Sequence, residues 1–285
     1  MAQDLFIDTE HSFKTYEVLK SNAKAMEKDD IAEEVPIAFV YNGISHAVML
    51  ASPSDLEDFA LGFSFSEGIV ENKSDIYGIE VIHQPKGIEL QIEIASARFQ
   101  ILKDKRRNLL GRTGCGLCGA ENLDQALRLP EKKIDNTLTI KESAIIKALD
   151  TLHATQSLQK KTGATHACAW ANEQGEIQLV REDVGRHNAL DKLIGALQKK
   201  SFNDKGFVIT TSRASYEMVQ KTVMLGASTL IAISAPTGLA IRSALKYGLC
   251  LIGFARAPHY VIYTCLLYTS PSPRDRTRSR MPSSA

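Results

Sequence analysis

From Thr165 onward the chain alternates in a way that leaves few architectures open. Short apolar, β-rich runs occur at 165–171, 177–181, 207–211, 229–234, 249–254 and 260–263. Amphipathic stretches at 187–199, 216–225 and 239–246 lie between them. Runs of that length buried on both faces form a sheet, and helices with one apolar stripe must cover it. The pattern predicts a layered α/β domain with a mainly buried sheet.

The region before it reads differently. Val35–Tyr41 and Ile44–Leu50 flank Asn42-Gly43, which suits a type I′ hairpin turn because both residues tolerate positive φ. Ser54-Asp55-Leu56-Glu57 reads as a capping box opening a helix that runs through Glu67 and closes at Gly68. A second hairpin, 78–83 with 88–95, turns at Pro85-Lys86-Gly87. Helical periodicity returns at Lys141–Lys161. The expected organisation is a polar lead-in (1–34), a small α+β domain (35–130), an α/β domain (131–264) and a disordered, non-native tail (265–285). That tail, rich in Ser, Pro and Arg, has too little apolar surface to order itself.

Net charge is +1, and four arginines against one aspartate in the last 17 residues leave the rest slightly acidic. No global field draws such a chain to nucleic acid or anionic lipid. No apolar run is long enough to cross a bilayer, and Met1–Phe13 carries acids where a signal peptide has a basic end. The expectation is a cytoplasmic protein with no nucleic-acid or membrane partner. Of the five cysteines, Cys168, Cys250 and Cys265 stand singly and read as small core residues.

Cys115 and Cys118 stand apart, inside Gly111-Arg-Thr-Gly-Cys-Gly-Leu-Cys-Gly119. Glycines let the backbone approach a ligand, and a cation such as Arg112 or a helix start lowers a thiol pKa. Three readings compete. A structural zinc site needs four ligands, and His166 with Cys168 is the available completion. A thioredoxin-like redox pair needs a βαβ context that the glycine-rich surroundings do not match. A sulfur-carrying thiol with an adjacent partner needs the exposure and reach such a loop offers.

Four segments carry a resemblance: GRTGCGLCGAENL (111–123), REDVGRHNALDKLIG (181–195), TSRASYEMVQK (211–221) and SAPT (234–237). With DFALGFSFSEGIV (58–70), they resemble the formate dehydrogenase accessory sulfurtransferase family over roughly residues 35–264. The resemblance implies a sulfurtransferase. A cysteine desulfurase would load sulfur as a persulfide on Cys115, with Cys118 as partner. The sulfur would then pass to the molybdenum cofactor, bis(molybdopterin guanine dinucleotide), before insertion into formate dehydrogenase. The cofactor would be cargo, with no permanent metal and with a homodimer as an open assembly state. The α/β domain would be cytidine deaminase-like and bind the cofactor. Deaminase chemistry is not expected, since His166-Ala167-Cys168 lacks the required glutamate.

By position, Phe254, Ala255, Arg256, Ala257, Pro258 and His259 match the family's cofactor-binding segment. Arg213 and Ser234–Thr237 end strands, where α/β sheets bind ligands. Arg181–Asn188 reads as capping and surface ion pairing, or as a phosphate contact through Arg186 or His187. With no Walker or Rossmann loop, phosphates must meet strand ends and a few cations. The rival reading is a non-catalytic molybdenum-cofactor chaperone whose Cys pair is structural or metal-binding.

Overall fold

The computed structural model describes residues 7–21, 25–107, 134, 140–200 and 205–264. Its elements stack in layers, each fixed by what its residues must bury.

Strands β3 (Val35–Tyr41), β4 (Ile44–Ala51), β5 (Ile76–Gln84) and β6 (Gly87–Ile94) form one sheet in the order β4-β3-β6-β5. Asn42 and Gly43 take φ of 45° and 80°, as the hairpin reading requires. The second hairpin turns on Pro85 and Lys86, since Gly87 already pairs with Gln84. Helix α1 (Leu56–Ser66) covers this sheet: Phe59 and Phe63 pack on Phe39 at ring distances of 5.0 and 4.2 Å. Helix α2 (Ser96–Arg107) adds Leu102 to the same core.

The second sheet runs β12-β11-β10-β9-β7-β8, from β7 (His166–Asn172), β8 (Ile177–Asp183), β9 (Gly206–Thr210), β10 (Thr229–Ala232), β11 (Cys250–Arg256) and β12 (His259–Thr264). Among the described residues, its parallel pairings are β9 with β10 and β10 with β11, and its other pairings are antiparallel. Helices α5 (Arg186–Lys199), α6 (Tyr216–Leu225) and α7 (Gly238–Tyr247) cover one face through Leu190, Leu193, Met218 and Ala244. Helix α3 (Glu142–Thr155) covers the other through Ile145, Ala148 and Leu152. The alternation from Thr165 onward is thereby realised as an α/β/α stack.

Three expectations change in detail. Residues within the polar lead-in form a two-stranded sheet, β1 (Phe13–Val18) with β2 (Glu27–Ala32), and Lys161 stacks 4.3 Å over Phe13. The capping box does not form. Asp55 sits at the cap with φ 52° and no side-chain cap bond, because Arg181 takes its carboxylate (3.3 Å) and Lys199 takes that of Glu57 (2.9 Å). The helix expected at 141–161 breaks at Gln156. There the Glu182 carboxylate accepts the N–H groups of Leu158 and Gln159 (2.9 and 2.8 Å) and starts a new helix, α4 (Ser157–Thr162).

Helix α1 is buried almost all round, as a helix apolar on every side must be. Its far face crosses α5 with backbone nearly touching backbone. A Cβ on Gly62 would stand 1.7 Å from the Asp191 carbonyl oxygen, and one on Gly195 would stand 1.9 Å from that of Asp58. Charges clamp the crossing. Lys221 meets Asp191 (3.0 Å), Glu67 (2.9 Å) and the Ser66 hydroxyl (2.9 Å). Burial opposes the charge on Lys221, but Asp191 and Glu67 outweigh it and hold its pKa above the ordinary value. Arg181 holds Asp58 at 2.6 Å, and Lys199 holds the other oxygen at 2.7 Å. Lys192 and Asp183, both with 0% side-chain exposure, pair at 2.6 Å and bond the carbonyl and N–H of Ser52.

On propensity alone, Gly195→Ala in a helix should gain about 1 kcal/mol. The overlap with backbone, which cannot rotate away, is larger and opposite in sign. Gly195→Ala should cost about 3 kcal/mol or more, at the upper end of overpacking effects. Urea denaturation checks this, and a neutral or stabilised variant would contradict the close crossing.

Candidate functional site

Pairing registers bring the polar strand ends to one edge of the six-stranded sheet. The end of β8 meets the start of β7 at Asp183 and His166. Ala167 then exchanges hydrogen bonds with Thr211, just past β9. The loop 211–215 bridges to the loop 233–237 through Ala214 and Pro236, with the Thr237 N–H donating to the Ala214 carbonyl (3.0 Å). The Phe254 N–H donates to the Ser234 carbonyl (3.1 Å), which brings in the β11–β12 turn. The C-terminal ends of the parallel strands lie on this edge, where open α/β sheets hold ligands.

The expected site residues fall into two groups. Arg213, in the 211–215 loop, and the segment Phe254–His259 lie on this edge, with Ser234–Thr237 between them. Arg213, Phe254, Arg256, Pro258 and His259 are exposed. Phe254 holds φ 49° and is 50% exposed, a large apolar face offered to solvent. Ala255 is buried and packs with the α3-side core, so it offers a ligand only its backbone. Thr237 caps α7, its hydroxyl accepting from the Ala240 N–H (3.2 Å). Cys115 and Cys118 lie outside the described residues, as do Cys265 and the tail.

Cys168, the candidate completion of a zinc site, is fully buried between β7 and α5, and burial pushes its thiol up to about 12. It is a core residue, as is Cys250. Among the described residues no group of three metal-ligating side chains gathers, and no helix is long and apolar enough to cross a membrane.

The stretch Arg181–Asn188 does more than decorate a surface. Asp183 accepts from the Gly185 N–H (2.7 Å) and the Asn188 amide (3.0 Å), which shapes the turn into α5. His187 pairs with Glu217 at 2.8 Å, and its Nε2 lies 3.5 Å from the Ser215 hydroxyl. Burial opposes the Glu217 carboxylate, yet His187 outweighs it and holds its pKa below the usual range. Beside them His166 lines a cleft of about 380 Å³ with Thr165 and Thr211. Sequence reading missed Lys192, Asp191 and Lys221, because a charged residue on an amphipathic helix looks the same whether it meets water or a buried partner.

A mixed sheet flanked by helices, with polar strand ends gathered on one edge, defines an α/β protein of the open-sheet class, in which ligands are usually held at such an edge. The FdhD/NarQ family model matches residues 32–266, and the chain belongs to that family. It is 57% identical over 236 residues to the sulfur carrier protein FdhD of Cupriavidus necator, covering 82% of each chain. It is 52% identical over 241 residues to that of Bordetella petrii, covering 84% of this chain and 86% of the other. A crystal structure from Desulfotalea psychrophila, named as a formate dehydrogenase accessory protein, shares the fold with a TM-score of 0.65. It is 21% identical and spans 89% of this chain and 96% of the other.

Burial first, and then the charge of Arg186, push the His166 pKa below its ordinary 6.5. Between the two values the unfolded chain binds more protons than the folded one, so stability rises with pH there. His166 should therefore weaken the fold as pH falls through about 6.5 toward its folded value. Urea midpoints between about pH 7.5 and 5.5 check this. His166→Gln should flatten part of the acid loss, and an unchanged profile would contradict it.

Proposed function

We propose that this chain is a cytoplasmic sulfur carrier that serves formate dehydrogenase. Membership of the FdhD/NarQ family, with relatives named as sulfur carriers at more than half identity, is the observation that carries the reading. A cysteine desulfurase supplies the sulfur. Attack of the Cys115 thiolate on the desulfurase persulfide forms a new S–S bond and releases the donor cysteine as a thiolate, with no net oxidant required. Cys118 resolves or relays the sulfur. The acceptor is the molybdenum centre of bis(molybdopterin guanine dinucleotide), held as cargo before it enters formate dehydrogenase. The C-terminal stack is read as cytidine deaminase-like in its layering, used for binding rather than deamination.

The cofactor's phosphates would meet the strand-end edge, with Arg213 from the 211–215 loop and Arg256 from the end of β11 as cations. Phe254 would offer a planar face to the nucleobase, while Ala257, Pro258 and His259 would shape the turn. Guanidinium pairs phosphate oxygens two at a time, which makes arginine the fitting residue in both loops.

Incubation with a desulfurase and cysteine should add one sulfur to the intact mass, removable by dithiothreitol and located on the Cys115–Cys118 peptide. Cys115→Ala should lose the adduct and client activation, and Cys118→Ala should be milder. Unmodified protein under conditions that load a known carrier, or zinc at one per chain, would favour the chaperone reading. Arg256→Ala should weaken GDP binding roughly ten- to hundredfold by calorimetry, the worth of one charge-assisted phosphate contact. That variant should load persulfide normally. Unchanged GDP affinity would remove Arg256 from the site.

A further inference from the structure

At the junction of α3 and α4 the chain buries a carboxamide and gives it no partner. Gln156 is 5% exposed, and no described residue reaches its side-chain amide with a hydrogen bond. Its backbone carbonyl is used, accepting from the Lys160 N–H (3.2 Å), but that leaves the side chain unmet. Folded proteins seldom keep such a group, because an unmet buried amide costs stability. Gln156 lines the cleft of about 380 Å³ beside His166, so a partner for it would lie there.

The other walls narrow what that partner is. Gln159, Thr165, His166 and Thr211 share the lining, and among the described residues no acid, lysine or arginine joins them. The Gln159 Oε1 accepts the Thr165 N–H (2.8 Å), which leaves the Gln159 amide only its donors. Both hydroxyls are engaged: that of Thr211 accepts from the Ala167 N–H (2.9 Å), and that of Thr165 donates toward Glu182 (3.3 Å). Burial keeps His166 mostly uncharged at neutral pH. The groups left over are neutral, and donors outnumber acceptors. A phosphate or a metal ion finds no opposite charge in this lining. A lactam fits it, since its carbonyl oxygen takes two donors while its N–H meets the Gln156 oxygen. The adenine edge, an amino donor beside a ring nitrogen, has no carbonyl for those donors. The volume suits a fused bicyclic ring.

We infer that this cleft, with Gln156 as its central contact, is a subsite for the lactam edge of a 2-aminopyrimidinone ring. Pterin and guanine share that edge, and both belong to the cargo proposed above. The inference rests on that cargo, but on neither Arg256 nor the thiols. Thr211 lines the cleft and opens the loop that carries Arg213, which puts the subsite beside the proposed phosphate contacts without using them.

The test is a fluorescence-anisotropy titration of pterin, which has no phosphate, with the full chain. Guanosine and adenosine serve as competitors. Pterin should bind saturably. Gln156→Met keeps the length of the side chain and loses the amide, so it should weaken pterin roughly tenfold or more. Its urea midpoint should equal or exceed that of wild type, because an unpaired buried group has gone. Displacement of pterin by guanosine at similar concentration assigns the subsite to the shared edge, whereas pterin that guanosine leaves in place assigns it to the pterin ring. Either result supports the subsite. No saturable pterin binding, wild-type affinity in Gln156→Met, or displacement by adenosine as readily as by guanosine overturns it. Should Gln156→Met fail to fold, the wild-type response and Gln156→Leu decide. Sulfur loading and GDP binding, measured on the same protein, separate the two readings. Their loss with pterin binding intact counts against the carrier reading alone, and the converse counts against this subsite alone.

Discussion

Everything at the strand-end edge depends on how closely α1 approaches α5. Gly62 and Gly195 leave no room for a Cβ at the crossing, so the two helices meet backbone to backbone. That approach brings the acids of α1 and its flanking loop, Asp55, Asp58 and Glu67, within reach of Arg181, Lys199 and Lys221. It also lets Lys192 and Asp183 close on Ser52 beyond the end of β4. Removing one partner of such a buried pair costs about 3–5 kcal/mol, because the charge left behind has lost both its water and its counter-ion. The pairs therefore fix position as much as they stabilise. Asp183 shows the consequence, since the carboxylate that meets Lys192 also shapes the turn bearing Arg186 and His187.

The repeating elements were legible because their periods are dictated locally. Tyr216–Leu225 is a helix over the span its pattern predicts, and Asn42-Gly43 turns as its tolerance of positive φ requires. What could not be read were the places where a distant residue overrides a local rule. Ser54–Glu57 has a capping-box pattern, but Arg181 and Lys199, more than a hundred residues away, claim the carboxylates. Gln156 interrupts a continuous helical pattern because Glu182 offers two N–H groups a better acceptor. For the site, strand-end logic located Arg213 and Phe254–His259 on one edge without predicting that Ala255 turns inward. Nothing local distinguishes Lys192, fully buried, from exposed Lys199 two turns away.

The same edge explains how a carrier could divide its labour. In the proposed reading, cations and strand-end N–H groups would hold the cargo's charge on the sheet edge, while the chemistry would belong to the thiols of Cys115 and Cys118 in their glycine-rich sequence. Binding and chemistry would then rest on different parts of the chain, and substitutions in one should spare the other. Exposed Phe254 adds an apolar, planar face to that edge.

The central claim is that the α1–α5 crossing welds the two sheets into one cooperative unit. The single tryptophan, Trp170, lies in the core of the six-stranded sheet, so its fluorescence follows that layer alone. Amide protection of Leu90 and Ile92 in β6 follows the other sheet. Measured together through urea unfolding, the two probes should give one midpoint and one slope. Loss of protection at Leu90 and Ile92 while Trp170 keeps its native emission would show that the crossing joins the sheets without coupling them.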